Sequence, residues 1–168
     1  MKLSYKAQLY AIEKHDAVNQ LYDGMRYSRH LQMVYEIGLA FIYLIPSHEQ
    51  EEVLSGCWVH DVLEDTHETY NDLKRVLGET IAEYSYALQN NKGRIRSERA
   101  NNSYYHGIRI YKHSTFIKLC DRIANLTYSK EKGSSMFNKY KKEFEHFHDQ
   151  LYDGRYQEMW NFLEDMVK

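Results

Sequence analysis

The chain is 168 residues long, with 43% hydrophobic and 27% charged residues, one proline and eight glycines. That size suits one domain burying about 70% of its unfolded surface, and the composition excludes disorder, collagen-like repeats and a proline-rich scaffold. Lys plus Arg total 22 against 24 Asp plus Glu, so no bulk positive field draws nucleic acid or anionic lipid, and neither is an expected partner.

Apolar residues recur at helical spacing almost throughout, with no sustained alternation bounded by Asn-Gly or Asp-Gly hairpin turns, so an all-α fold is expected. A first helix is predicted over about Ser4 to Val18, broken by Asp23-Gly24. A second runs from about Arg29 to Leu44 and stops before Pro46. Ser47 is expected to cap a third, about His48 to Asp65, whose opening acids Glu49, Glu51 and Glu52 suit the positive end of the helix dipole. Helices are then predicted at about Tyr70 to Leu77, Glu79 to Gln89, Arg96 to Tyr111, Thr115 to Ser129, Ser134 to Tyr152 and Arg155 to Val167. The longest apolar run, Ile37 to Ile45, falls far short of the ~20 residues that cross a bilayer, so no membrane association is expected. Cys57 and Cys120 are too few for a disulfide framework, and nothing from Met1 to Asp16 resembles the core of a signal peptide. A reducing, cytoplasmic setting is expected from both.

The run with chemical content is Val59-His60-Asp61-Val62-Leu63-Glu64-Asp65-Thr66. On a continuous helix Glu64 follows His60 by four residues and Asp61 by three, so the three share a face, with Asp65 one turn beyond Asp61. Three acids and an imidazole crowded on one face repel and raise their own pKa values unless a cation supplies the missing charge. A lone His-Asp pair is ordinarily a partly exposed ion pair. Here Trp58, Val59, Val62 and Leu63 mark a helix buried on much of its circumference, where unpaired acids are costly, and a divalent metal resolves the conflict. His30 and Asp121 could complete a mixed nitrogen and oxygen set of the kind that suits Mn, Fe, Co, Ni or Zn.

His30, His60-Asp61 and Asp121, in that order, resemble the HD-domain metal phosphohydrolases. The longer stretches 60–66 and Lys118-Leu119-Cys120-Asp121-Arg122-Ile123-Ala124-Asn125-Leu126 are similar to the alarmone (p)ppGpp hydrolase branch, over roughly residues 7–128. The resemblance implies a compact multi-helix HD domain spanning 1–168, with a helical extension from about 134. It also implies one divalent metal ion, most often Mn²⁺, held by His30, His60, Asp61 and Asp121, with Glu64 and Asp65 serving a metal-activated water and Glu64 favoured for proton transfer. The implied reaction is removal of pyrophosphate from the 3′ position of a guanosine nucleotide by a stand-alone hydrolase. Asn125 would contact the nucleotide, and Arg122 or Lys118 its phosphates.

The sequence departs from that family ahead of His30, where a basic pair, a Gly-containing turn, Pro-Tyr-Ile and a later Pro are usual. The turn and Tyr27 are kept, Leu21 and Tyr22 stand at the basic pair, and both prolines are absent; Arg26 or Arg29 could compensate. Two other readings therefore stay open: a phosphohydrolase of another nucleotide, such as a deoxynucleoside phosphate or a nicotinamide dinucleotide phosphate, and a catalytically silent nucleotide-binding module.

Several features have plainer readings. Lys92, Arg94, Arg96 and Arg99 read as a solvated loop and helix start, or as a phosphate-gripping rim. Cys57 and Cys120 read as small core residues rather than zinc ligands. His146 and His148 diverge on their helix, whereas His15 is placed near the site. Of the sixteen tyrosines, Tyr22 and Tyr27 are best placed to stack on a purine. The aromatic helices from Phe137 to Phe147 and Tyr156 to Phe162 read as core cover or as the face of a homo-oligomer.

Overall fold

The computed structural model describes residues 1–91 and 93–168, with residues 96 and 97 described by their backbone alone. The helices are α1 (Leu3–Ala17), α2 (Ser28–Phe41), α3 (Gln50–Val59), α4 (Val62–Asp65), α5 (Tyr70–Leu77), α6 (Glu79–Leu88), α7 (Arg96–Arg99), α8 (Asn102–Ile110), α9 (Ser114–Glu131), α10 (Ser135–Leu151) and α11 (Gln157–Val167). A 3₁₀ turn, Ile42–Leu44, extends α2 up to Pro46. No helix of the described residues is long and apolar enough to cross a membrane.

The all-α expectation is met apart from one small departure. Strands β1 (Leu21–Tyr22) and β2 (Met25–Arg26) pair antiparallel, with Leu21 opposite Arg26 and Tyr22 opposite Met25. Asp23 (φ 50°) and Gly24 (φ 77°) between them are both left-handed, the requirement of a type I′ hairpin turn, which glycine meets without steric cost. This Asp-Gly pair is thus a hairpin turn rather than only a helix stop. Strands of two residues are too short to leave an alternation in the sequence. The Tyr128 hydroxyl of α9 donates to Asp23 Oδ2 at 2.7 Å and pins the hairpin over the bundle.

Helix ends follow local chemistry. Thr69 and Asp72 form a reciprocal capping box at α5: the Asp72 amide donates to Thr69 Oγ1 at 3.3 Å, and the Thr69 amide to Asp72 Oδ2 at 3.1 Å. The helix predicted over 96–111 is instead split into α7 and α8, because Asn101 adopts an extended conformation and its side chain accepts from the Tyr104 amide at 3.1 Å. Ser47 does not cap α3. That helix starts at Gln50 after a turn from the Pro46 carbonyl to the Glu49 amide, and it has no side-chain cap. Glu51 in its first turn instead accepts from the Ser4 amide and hydroxyl, docking α1 on α3.

The centre of the molecule is α3, where every residue from Val53 to His60 is buried, as a helix apolar around its circumference requires. Helix α1 packs on one side of it, α2 and α9 on others. One apolar cluster joins α1, α3, α4, α5 and α6 around Trp58, Val62 and Leu73. A larger one joins α8 to α11 with α2, α3 and α6 around Phe116, Phe147 and Trp160. The C-terminal aromatic residues Phe147, Trp160 and Leu163 are therefore core, while Phe162 is exposed. Helices α2, α3 and α9 come together at Gly38, where a Cβ would meet Cys57 Sγ at 3.0 Å, Leu54 Cδ2 at 3.5 Å and Cys120 Sγ at 3.9 Å. Both cysteines are free and buried, the small core residues expected. Replacing Gly38 with Val should lower stability by about 1–3 kcal/mol through overpacking, seen as a lower urea midpoint with an unchanged denaturant slope.

Candidate metal centre and adjoining cavity

The expected helix over 48–65 is interrupted where the chemistry lies. His60 keeps helical angles (φ −54°, ψ −33°), but Asp61 leaves them (φ −102°, ψ 0°), and α4 restarts as a single turn. On an unbroken helix neighbouring side chains diverge by about 100°. The break lets both turn to one point: His60 Nε2 lies 2.9 Å from Asp61 Oδ2. His30 enters from α2 and Asp121 from α9. His30 Nε2 is 3.2 Å from His60 Nε2, 3.3 Å from Asp121 Oδ1 and 3.6 Å from Asp61 Oδ2. The four residues that the sequence could not join by spacing are thus brought together. One donor atom each of His30, His60 and Asp121 falls within a 4.8 Å span that could hold a metal ion, with the near oxygen of Asp61 beside them.

The donor chemistry fits a divalent cation. The His60 ring is fixed by Nδ1, 2.9 Å from the Cys57 carbonyl, to which a protonated Nδ1 donates; the Nε2 lone pair is then left for the cluster. His30 is held differently, by the Tyr22 ring stacked on it at 4.8 Å and 20°. Asp121 accepts on Oδ2 from Lys118 at 2.7 Å and on Oδ1 from Asn125 at 2.6 Å, and Asn125 in turn accepts from the Tyr22 hydroxyl at 2.9 Å. Asp61 Oδ2 accepts from the Tyr27 hydroxyl at 2.5 Å. Burial opposes an imidazolium at His30, but contact with Asp121 and Asp61 outweighs it and pushes His30 up to about 9. His60 rises for the same reason, through Asp61. Burial would raise both carboxylates, yet His60 and His30 hold Asp61 well below its usual range, and Lys118 with His30 does so for Asp121.

His30, Asp61 and Asp121 border a polar cavity of about 180 Å³, also lined by Tyr22, Glu64, Asp65, Asn90, Arg122 and Tyr140, with His60 outside its wall. The two acids of the motif have different surroundings. Both Glu64 oxygens are engaged by Asn90, its amide at 3.0 Å and its Nδ2 at 2.8 Å. Asp65 is less tightly held: Gln20 Nε2 donates to it at 3.4 Å and the Tyr27 hydroxyl also faces it, while burial, with the charges of Asp61 and Glu64, pushes it up to about 7. A larger cavity of about 750 Å³ shares Asn90, Lys118 and Arg122 with the first and is also lined by Arg99, Tyr104, Tyr105 and Lys139. Of the basic stretch, Arg99 therefore reaches a cavity wall, Arg94 is exposed, and Lys92 and the Arg96 side chain lie outside the described residues. Arg122 is buried between Tyr140 and Phe147, at 4.8 and 4.3 Å from their ring centres, and pairs with Glu143 at 3.1 Å.

Two expected substrate contacts are not brought to the cavity in that role. Arg26 is exposed on β2 and its guanidinium engages Asp16. Tyr27 lines the cavity, but it is 7% exposed and His15 covers its ring at 4.5 Å and 23°, so a purine has no open face to stack on. Asn90 and the Cys57 carbonyl were not singled out by the sequence; a loop asparagine and a backbone acceptor leave no signature in it.

No protein-family model matches the chain. The guanosine-3′,5′-bis(diphosphate) 3′-pyrophosphohydrolase MESH1 of Danio rerio is 32% identical over 124 residues, covering 70% of this chain and 63% of that protein. The match thus spans less than two thirds of the relative's length. A solved structure of a metazoan ortholog of SpoT, described as hydrolysing ppGpp, matches with a TM-score of 0.76 at 20% identity, over 99% of this chain and 94% of the other. This chain has that protein's fold. The likeness in fold extends through α10 and α11, beyond the stretch in which sequence motifs were legible, and the resemblance in sequence to a ppGpp hydrolase is borne out by the first of these proteins.

His15 provides a test of the surroundings of the centre. It is fully buried with neither ring nitrogen hydrogen-bonded among the described residues, and burial lowers it to about 4. The unfolded chain protonates His15 near 6.5 and the folded one only near 4, so its contribution to stability is present above 6.5 and is lost as pH falls towards 4. His15→Phe should remove that part of the acid sensitivity, worth on the order of 2 kcal/mol at pH 5, in urea titrations of both proteins at pH 5 and pH 7.

Proposed function

We propose that the chain is a metal-dependent phosphohydrolase that removes pyrophosphate from the 3′ position of (p)ppGpp. The observation that carries this reading is the convergence of His30, His60, Asp61 and Asp121 on one point beside a cavity walled by two further acids. The names of the similar proteins, a guanosine-3′,5′-bis(diphosphate) 3′-pyrophosphohydrolase and a ppGpp-hydrolysing SpoT ortholog, support the substrate. His30, His60, Asp61 and Asp121 would hold one divalent ion, with Mn²⁺ the leading choice. Such an ion acidifies water and polarises a phosphoryl oxygen.

The chain's own residues divide the remaining work. Asp65, half-buried in the cavity wall and less engaged than Glu64, whose two oxygens both accept from Asn90, is assigned the proton transfer between water and leaving oxygen. Glu64 is assigned a positioning role through its two contacts with Asn90, which reverses the order of the two acids suggested by the sequence. Lys118, already neutralising Asp121, and Arg122, at the junction of the two cavities, face the phosphates. Asn125 is assigned first to Asp121, since its amide donates to that carboxylate. Its second amide hydrogen and the second lone pair of Oδ1 are left for contact with the nucleotide.

A second reading, hydrolysis of another nucleoside phosphate, is favoured by one observation. Tyr22 occupies the position of the family's basic pair and lies on His30, so that side of the cavity offers an aromatic ring and a hydroxyl rather than charge. Incubation of Mn²⁺-loaded protein with a nucleotide panel separates the readings. Pyrophosphate released from ppGpp supports the first, another nucleotide consumed in its place supports the second, and no turnover of any favours a silent binding module. Asp65→Asn should lower kcat by at least about 100-fold with metal content retained, and Glu64→Gln should cause the smaller loss, measured by single-turnover pyrophosphate release.

A further inference from the structure

We infer that Tyr27, braced by His15, is a positioning residue for Asp61. Its hydroxyl donates at 2.5 Å to Oδ2, the same oxygen that faces His60 at 2.9 Å and His30 at 3.6 Å. A carboxylate oxygen has lone pairs to spare for a hydrogen bond and a cation together, so this bond fixes the rotation of the carboxylate without displacing a ligand. Asp61 needs such a bond more than the other donors do. It sits at the break between α3 and α4, outside helical geometry, whereas Asp121 is held within α9 by Lys118 and Asn125.

Tyr27 can do this because its own ring is immobilised. It immediately precedes α2, and its carbonyl accepts from the His30 amide at 2.9 Å, so one residue sets both the start of the helix that delivers His30 and the orientation of Asp61. His15, from α1, stacks on the ring at 4.5 Å and 23°. On stability grounds an imidazole with no exposure and two nitrogens lacking partners among the described residues is a poor choice. The ring contact it makes among the described residues is the flat face it presents to Tyr27.

The inference rests on the reading of the cluster as a metal centre, and the test separates the two. Mn²⁺ affinity is measured by calorimetry, and the visible spectrum of bound Co²⁺ recorded, for the unchanged protein, Tyr27→Phe, His15→Ala and His15→Phe. The melting temperature of each without added metal serves as the structural control. Tyr27→Phe should weaken Mn²⁺ binding about ten- to hundred-fold and alter the Co²⁺ bands, while its melting temperature changes little. His15→Ala should move affinity in the same direction, and His15→Phe, which keeps a flat ring, should restore it. Tyr27→Phe binding Mn²⁺ as tightly as the unchanged protein, with the same Co²⁺ spectrum, would overturn the role of Tyr27. Equal weakening in His15→Phe and His15→Ala would overturn the bracing role. Failure of the unchanged protein to bind either ion would overturn the metal reading beneath both.

Discussion

Two carboxylates crowded around a pair of touching imidazoles, where three helices and a hairpin meet, constrain everything around them. Water reaches these charges only from the cavity side, so each carboxylate is matched largely by bound protons or by a cation. The fold meets that demand partly by itself. Lys118 sits on the outer oxygen of Asp121, Tyr27 and Asn125 donate to the carboxylates, and the backbone of α3 fixes the tautomer of His60. A cation would displace protons from His30 and His60 on entering such a nest, which couples its affinity to pH.

The sequence made the periodic parts of this molecule legible and left the local exceptions hidden. Helices α1, α5, α6, α9 and α10 lie within a few residues of their predicted spans, because amphipathic periodicity and caps such as Thr69 and Ser134 act locally. The four proposed ligands were legible as a motif but not as a place, since His30, His60 and Asp121 meet only through the packing of α2, α3 and α9. The break at His60-Asp61 could not be read from the chain. The run Val59 to Asp65 holds no glycine or proline to mark an interruption, and the break is seen only in the backbone angles of Asp61 and the meeting of the two side chains.

The same division holds on the substrate side. The exchange of a basic pair for Leu21-Tyr22 is visible in the sequence, but its outcome is visible only in three dimensions. Leu21 is exposed, while Tyr22 lies on His30 and closes a chain of hydrogen bonds to Asn125 and Asp121. Tyr22 therefore belongs to the support of the centre as much as to its rim. Among the described residues, cations that line the larger cavity are Arg99 of α7, Lys118 and Arg122 of α9 and Lys139 of α10.

At Gly38 the three helices that carry the proposed ligands come together, with the sulfur atoms of Cys57 and Cys120 both facing the space a side chain would fill. That crossing lies about two turns along α2 from His30, beside the residue whose carbonyl orients His60 and the residue preceding Asp121. It works as the hub of a tripod. A lateral displacement of any leg there is transmitted to all the tips at once, and a position without a side chain thereby sets the gauge to which the whole donor ring is built.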